Sequence, residues 1–353
     1  MALPTVAEDA PLPSPSVGHD FAVRYFGELL QKEDPLPAPI AAIETLAELV
    51  SRSDSSTIQE LLVLLRETSA ALAAASFNPV SCASGTALFM RYLTLQRPGP
   101  DQSFRDFKAE LVERAREFVA GSGKCRDLIS EHMGGFIRDG STILVHSYSR
   151  VVVQALLYAA QTQKKRFQVY VTESRPFGLG LKTHSVLTEN GIPCVVVLDS
   201  AVAYVMTRCD MAVVGAEAVC ESGGLVNFIG GYQMAIAAKA LNKPLYALAE
   251  SFKFTRLFPL SQTDLPSSLP SAPLSFPAPA EASKTSTGIP ATPVRPMIGD
   301  SMPRALEMSD AATRHNPLLD YTSPEAISLI VSDLGVLTPS AVSDALLATF
   351  GGE

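Results

Sequence analysis

The hydrophobic pattern of this chain changes its period once. From Asp20 to about Ser122, apolar residues recur at three- and four-residue intervals in FAVRYFGELL, IAAIETLAELVSRS, TIQELLVLLRETSAALAAAS and FRDFKAELVERAREFVAGS. That spacing puts one apolar stripe on each of several helices, enough for an all-helical domain around a shared core. Thr57 followed by Glu60 is a capping-box signature at the head of the third helix. After GSGKCRD and one more helical stretch, RDLISEHMGGFIRDG, the period shortens. ILVHSYS, FQVYVTE, CVVVLDS, MAVVGAE and PLYALAES are short β-branched runs suited to strands buried on both faces. Between them lie the helical segments VVVQALLYAAQTQKKR, GLKTHSVLTENG and AVAYVMTRC. This alternation predicts a doubly wound, mainly parallel, Rossmann-like α/β domain following the helical one.

The boundaries come from composition. Residues 1–19 are rich in Pro, Ser and Ala and read as a disordered tail, 20–125 as the helical domain and 126–353 as the α/β domain. Inside the second domain, residues from about 266 to 314 form a Pro- and Ser-rich tract without periodicity, read as a disordered insertion. Beyond it, a helix is expected from Ser323-Pro324, then an apolar run through Val331. A closing helix follows, with Thr338 as N-cap and Pro339 in its first position. The central stretch Asp210–Glu250 reads as strand, long loop, helix, strand. Glu217 comes directly after the first strand, and Gly223-Gly224 and Gly230-Gly231 punctuate the loop.

Parallel strands deliver their carboxyl ends to one edge of a sheet, where α/β proteins bind ligands. Ser147 with Ser149 and Arg150, Glu173 with Arg175, Asp199 with Ser200, Glu217, and Glu250 with Ser251 must therefore gather on one side. Such a set suits a small hydroxylated or phosphorylated ligand, and any single member reads equally well as a structural ion pair. Asn78–Leu93 carries Ser81, Ser84 and Gly85 ahead of a helix. This is either a turn whose free N–H groups hold an anion or ordinary N-capping, with Arg91 projecting beyond as an anion contact or a surface charge.

Several chemistries are excluded. No G-x-G-x-x-G follows a strand, and neither G-x-x-x-x-G-K-[ST] nor G-x-S-x-G occurs. His146 precedes Ser147, but adjacent strand residues face opposite ways, so the pair reads as a core histidine beside an unrelated hydroxyl. His184 has no evident carboxylate partner. A net charge of -8 argues against a nucleic-acid surface. The compact basic run Lys164-Lys165-Arg166 reads as a solvated helix C-terminus. Five scattered cysteines without a C-x-x-C pair imply a reducing compartment and no zinc site. The N-terminus lacks the features of a secretory signal, and no apolar stretch approaches the ~18 residues of a membrane span, so a cytoplasmic protein is expected.

The runs HSYSRVV, VYVTESRPFG, VVLDSAVAYVM, VVGAEAVCESGGLVNFIGGYQ, KPLYALAESFKFTRLFPL and DLGVLTPSAVSD closely resemble the family of regulatory alpha, beta and delta subunits of eukaryotic translation initiation factor 2B. KPLYALAESFKFTRLFPL and the C-terminal run are most similar to its alpha type. The resemblance covers nearly the whole chain outside the tail and the insertion. It implies a part of the guanine-nucleotide exchange factor for initiation factor 2, and no cofactor. Its expected partners are a second copy of itself, the beta, delta, gamma and epsilon subunits, and initiation factor 2 with its alpha subunit phosphorylated. A face of the helical domain is expected to sense that phosphate. The same family includes isomerases of methylthioribose 1-phosphate and ribose 1,5-bisphosphate, in which a cysteine after the first strand and the aspartate of a G-A-D motif transfer protons. The matching positions here are Ser147 and Glu217. A hydroxyl is far less acidic than a thiol of pKa ~8.5 and Glu reaches further than Asp, so the resemblance implies a site without catalysis. It also implies that Ser84, Gly85, Arg91, Ser147, Arg150, Glu173, Arg175, Glu217 and Asn227 contact a sugar phosphate or nucleotide monophosphate. Where the family has Asn-Lys, this chain has Asn227-Phe228 and lacks that cation.

Overall fold

The computed structural model describes residues 15–32, 36–76, 78–96, 102–265 and 316–350. Five helices build the first half: α1 (Pro15–Gln31), α2 (Ala38–Arg52), α3 (Ile58–Ala75), α4 (Pro79–Leu95) and α5 (Phe104–Gly121). Their stripes meet in one core that includes Phe26, Ile40, Leu46, Leu61, Leu65, Phe89 and Leu111. The Thr57–Glu60 capping box forms at the start of α3. Helix α1 begins at Pro15, inside the stretch read as a tail; residues 1–14, and all of the expected 266–314 insertion, lie outside the described residues.

Helix α4 departs from expectation. Ser81, Ser84 and Gly85 lie within it rather than in a turn before it, because Asn78 caps it and Pro79 takes its first position, where a missing N–H loses no bond. Gly85 is buried where α4 crosses α2, and a Cβ there would lie 2.2 Å from the Pro39 carbonyl oxygen. The small residues of this segment therefore allow two helix backbones to approach.

Helix α6 (Gly123–Gly134) leads into the second half. There β1 (Thr142–Val145), α7 (Arg150–Gln161), β2 (Gln168–Thr172), α8 (Leu179–Glu189), β3 (Cys194–Val197), α9 (Val202–Met206) and β4 (Met211–Gly215) follow in turn. Next come a β5 (Ala218–Cys220) and β6 (Leu225–Phe228) hairpin, α10 (Gly231–Ala240), β7 (Leu245–Leu248) and β8 (Phe254–Thr255). The chain closes with β9 (Leu319–Thr322), β10 (Leu329–Ser332), β11 (Gly335–Leu337) and α11 (Val342–Phe350).

The main sheet has the order β11-β10-β7-β4-β1-β2-β3 and is parallel except for β11. Alternation along the strands divides the core. Ile143, Val145, Met211 and Val213 face one layer, with residues of α6, α7 and α8, while Leu144, Ala212 and Val214 face the other, with α9, α10 and α11. The parallel strands therefore run 3-2-1-4-5-6 in chain order, which places the switch in winding direction between β1 and β4.

Three local readings are corrected. The loop expected across 218–228 is a hairpin in a second sheet, β8-β5-β6-β9, its turn closed by Gly223 at φ +82°. The helix expected at Ser323-Pro324 is a single 3-10 turn, since strands β9 and β10 on either side leave it only three residues. The basic run follows α7 rather than ending it, and Lys165 Nζ donates to the Gly134 carbonyl at the end of α6 (2.5 Å).

Candidate functional site

At the switch point the chain leaves β1 through His146 and Ser147 and leaves β4 through Gly215, Ala216 and Glu217. Gly215 leaves room there for α7: a Cβ would sit 2.7 Å from Ser149 Cβ, which no rotation of that side chain relieves. Ser147 adopts φ +59°, a left-handed conformation that turns the backbone sharply from strand to helix. Its carbonyl accepts from Thr183 Oγ1 at 2.7 Å, and its side-chain oxygen accepts from Ser174 Oγ at 2.9 Å.

The neighbouring imidazole belongs to the sheet. His146 Nε2 lies 3.3 Å from the Phe228 carbonyl, which can only accept, so the neutral ring carries its proton there. Nδ1 then accepts from Thr172 Oγ1 at 2.8 Å, and Thr172 Oγ1 accepts from Ser147 N at 3.3 Å. Burial pushes the pKa of His146 below its usual value, so the ring stays neutral. No hydrogen bond joins it to the Ser147 hydroxyl, and a serine-hydrolase pairing is absent from this edge.

Glu217 is half-buried, and its Oε2 accepts from Asn78 Nδ2 at 2.6 Å. Asn78 belongs to the helical domain, so both domains contribute to the site. Asn227, on β6, is 6% exposed, and its Nδ2 has no hydrogen-bond partner among the described residues. Directly opposite it in register on β9 stands Asp320. Asp320 Oδ2 accepts from the N–H groups of Gly230 (2.8 Å) and Tyr232 (3.0 Å), so it caps α10, and burial raises its pKa to about 7.

Ser147, Glu217 and Asn227 come together, with Tyr148 and Phe228, around a cleft of about 20 Å³. A buried water needs ~10–15 Å³ and a small-molecule pocket ~300–1,000 Å³, so the cleft by itself holds no more than one small polar group. Arg175 lies in a neighbouring cavity of about 680 Å³ with Asp199, Tyr232, Gln233 and Asp320. Asp199 accepts there from Ser174 N (2.9 Å) and Arg175 N (2.8 Å), which makes it a loop clamp. Glu173 and Arg150 are half-buried beside this edge and line neither space.

The helical-domain residues are not brought in. Ser84 is fully buried and donates to the Ser81 and Phe252 carbonyls, Gly85 lies under α2, and Arg91 sits further along α4. Their geometry is that of helix packing rather than of an anion turn. Sequence reasoning also missed Asn78 and Asp320. Asn-Pro ahead of an apolar run is an N-cap signal that marks Asn78; nothing in LLDYTSP distinguishes Asp320. All five cysteines are free, and burial raises their thiols to about 11 or 12, which leaves them inert.

Residues 35–339 match the model of the initiation factor 2 subunit family. The chain belongs to that family. It is 39% identical over 332 residues to the translation initiation factor eIF2B subunit alpha of Dictyostelium discoideum, spanning 94% of this chain and 97% of that protein. It is 31% identical over 214 residues to the ribose 1,5-bisphosphate isomerase of Methanocaldococcus jannaschii, 61% of this chain and 66% of the isomerase. Its fold matches the crystal structure of the tetrameric eIF2B-beta2-delta2 complex from C. thermophilum with a TM-score of 0.65 at 18% identity, covering 95% of each chain. Among the described residues no helix is long and apolar enough to cross a membrane.

Proposed function

We propose that this chain is a non-catalytic regulatory and scaffolding subunit of the guanine-nucleotide exchange factor for translation initiation factor 2, acting in the cytoplasm. It pairs with a second copy through the α/β domain, bridges the beta and delta subunits and the catalytic gamma and epsilon subunits, and uses its helical domain to sense phosphorylated initiation factor 2. Phosphorylation adds roughly -1.5 to -2 charges, enough to reweight an interface with no chemistry in this chain.

One observation carries the non-catalytic half of this reading. At the positions where the isomerase resemblance calls for a thiol and a short carboxylate, the Ser147 hydroxyl is engaged by Ser174 and the Glu217 carboxylate by Asn78. Neither is poised to move a proton on a sugar carbon. The 39% identity to an eIF2B alpha subunit over nearly the whole chain supports the assembly half. The cleft keeps a binding role toward a sugar phosphate or nucleotide monophosphate, with the unpartnered Asn227 amide as a donor for it.

Identity to an isomerase favours the alternative, an active aldose–ketose isomerase. Incubating the purified chain with ribose 1,5-bisphosphate separates the two. No ketose product is expected, and turnover abolished by Ser147→Ala would establish the isomerase instead.

A further inference from the structure

The carboxylate at the end of β4 is held from outside its own domain. Asn78 uses every polar group it has at this junction. Its Nδ2 donates to Glu217 Oε2 at 2.6 Å, its Oδ1 accepts from Ser81 N at 3.1 Å to cap α4, and its N–H donates to Ser76 Oγ at 3.1 Å. It is 6% exposed, so solvent cannot replace a lost partner.

The next turns of α4 carry further contacts between the halves of the chain. Val80 packs in the cluster of Ala218, Cys220 and Tyr321 from the second sheet, and Ser84 Oγ donates to the Phe252 carbonyl at 3.1 Å. Whatever moves Glu217 therefore acts on the first turn of a helix that joins the helical core to the second sheet.

We propose that Asn78 and Glu217 form a latch that reports the state of the cleft to the helical domain. Asn78 is a positioning residue for Glu217. A ligand hydroxyl that takes the Glu217 carboxylate strips Asn78 of its acceptor and loosens the cap of α4. Glu217 lines the cleft and is held by Asn78, so a ligand that enters competes with Asn78 for the same carboxylate, and the coupling is reciprocal. The ligand half of this inference rests on the binding role proposed above; the latch itself does not.

Hydrogen exchange on the full chain tests the two separately. Glu217→Ala should speed exchange at the Ser81 and Cys82 amides about tenfold or more, the size expected for a hydrogen bond to a charged group, and leave residues 142–145 of β1 unchanged. Asn78→Ser keeps an oxygen to cap α4 but cannot reach Glu217. It should produce the same acceleration, and adding Glu217→Ala to it should do nothing more. With ribose 5-phosphate as probe, the wild-type chain should show that acceleration on binding, and Asn78→Ser should bind the probe several-fold more tightly. Wild-type exchange in Asn78→Ser would reduce Asn78 to a plain helix cap and overturn the latch, as would additive effects of the two substitutions. A coupled cycle in a chain that binds neither ribose 5-phosphate nor AMP would keep the latch and remove the ligand reading.

Discussion

Gly85→Ala distinguishes a packing glycine from a ligand-binding one. Helix propensity alone favours alanine in a helix interior by about 1 kcal/mol. The crossing of α4 over α2 opposes this. The new Cβ would meet three Pro39 backbone atoms, the oxygen at 2.2 Å, Cα at 2.6 Å and the carbonyl carbon at 2.7 Å. Backbone atoms cannot rotate away as a side chain would. Relief requires the helices to separate by about 1 Å, in a core where close packing leaves no slack. Overpacking of this kind typically costs about 1–3 kcal/mol, and here it must also exceed the propensity gain. Backbone contacts as short as these put the cost at the upper end of that range, so the net destabilisation expected is about 2 kcal/mol, read as a lower urea midpoint with unchanged slope. Affinity of the remaining folded protein for ribose 5-phosphate should be unaltered. A variant as stable as the wild type that has lost phosphate affinity would refute this reasoning and restore the anion-binding turn.

Three further outcomes are expected. Phe252 is 2% exposed and lies in the helical-domain core although it follows β7; Phe252→Ala should cost about 3–5 kcal/mol in urea unfolding, and a loss below 1 kcal/mol would mean that this ring does not join the halves. Asp320 has a folded pKa of about 7 against an ordinary 3.8, so its contribution to stability is fully present below the unfolded value and is lost as pH rises through 7. Asp320→Asn should therefore gain on the wild type as pH rises from 4 to 7, in melting temperatures at each pH; a constant difference would contradict the assignment. Light scattering at micromolar concentration should give twice the 37.6 kDa chain mass, and a monomer mass would contradict the pairing.

Long signals were legible in the sequence and short ones were not. The helical stripes and the five β-branched runs stated their elements plainly, because each buries a whole face. The order of polar residues after those runs puts Ser147 and Glu217 on one sheet edge. The β5–β6 hairpin is not legible because strands of three and four residues, Ala218–Cys220 and Leu225–Phe228, are too short to show a period among closely spaced glycines. Ser84 and Gly85 were misplaced because the small residues that suit an anion turn also suit two crossing helices, and only the partner helix decides between them. Asn78 acts on Glu217 from 139 positions away, a contact set by docking two domains and carried by no local pattern.

A scaffolding subunit works through the proteins it joins. Native mass spectrometry of the full chain mixed with the beta, delta, gamma and epsilon subunits tests it most directly. One assembly that contains all five kinds of subunit with two copies of this chain is expected; a chain that stays outside the assembly at every concentration would rule the scaffold out.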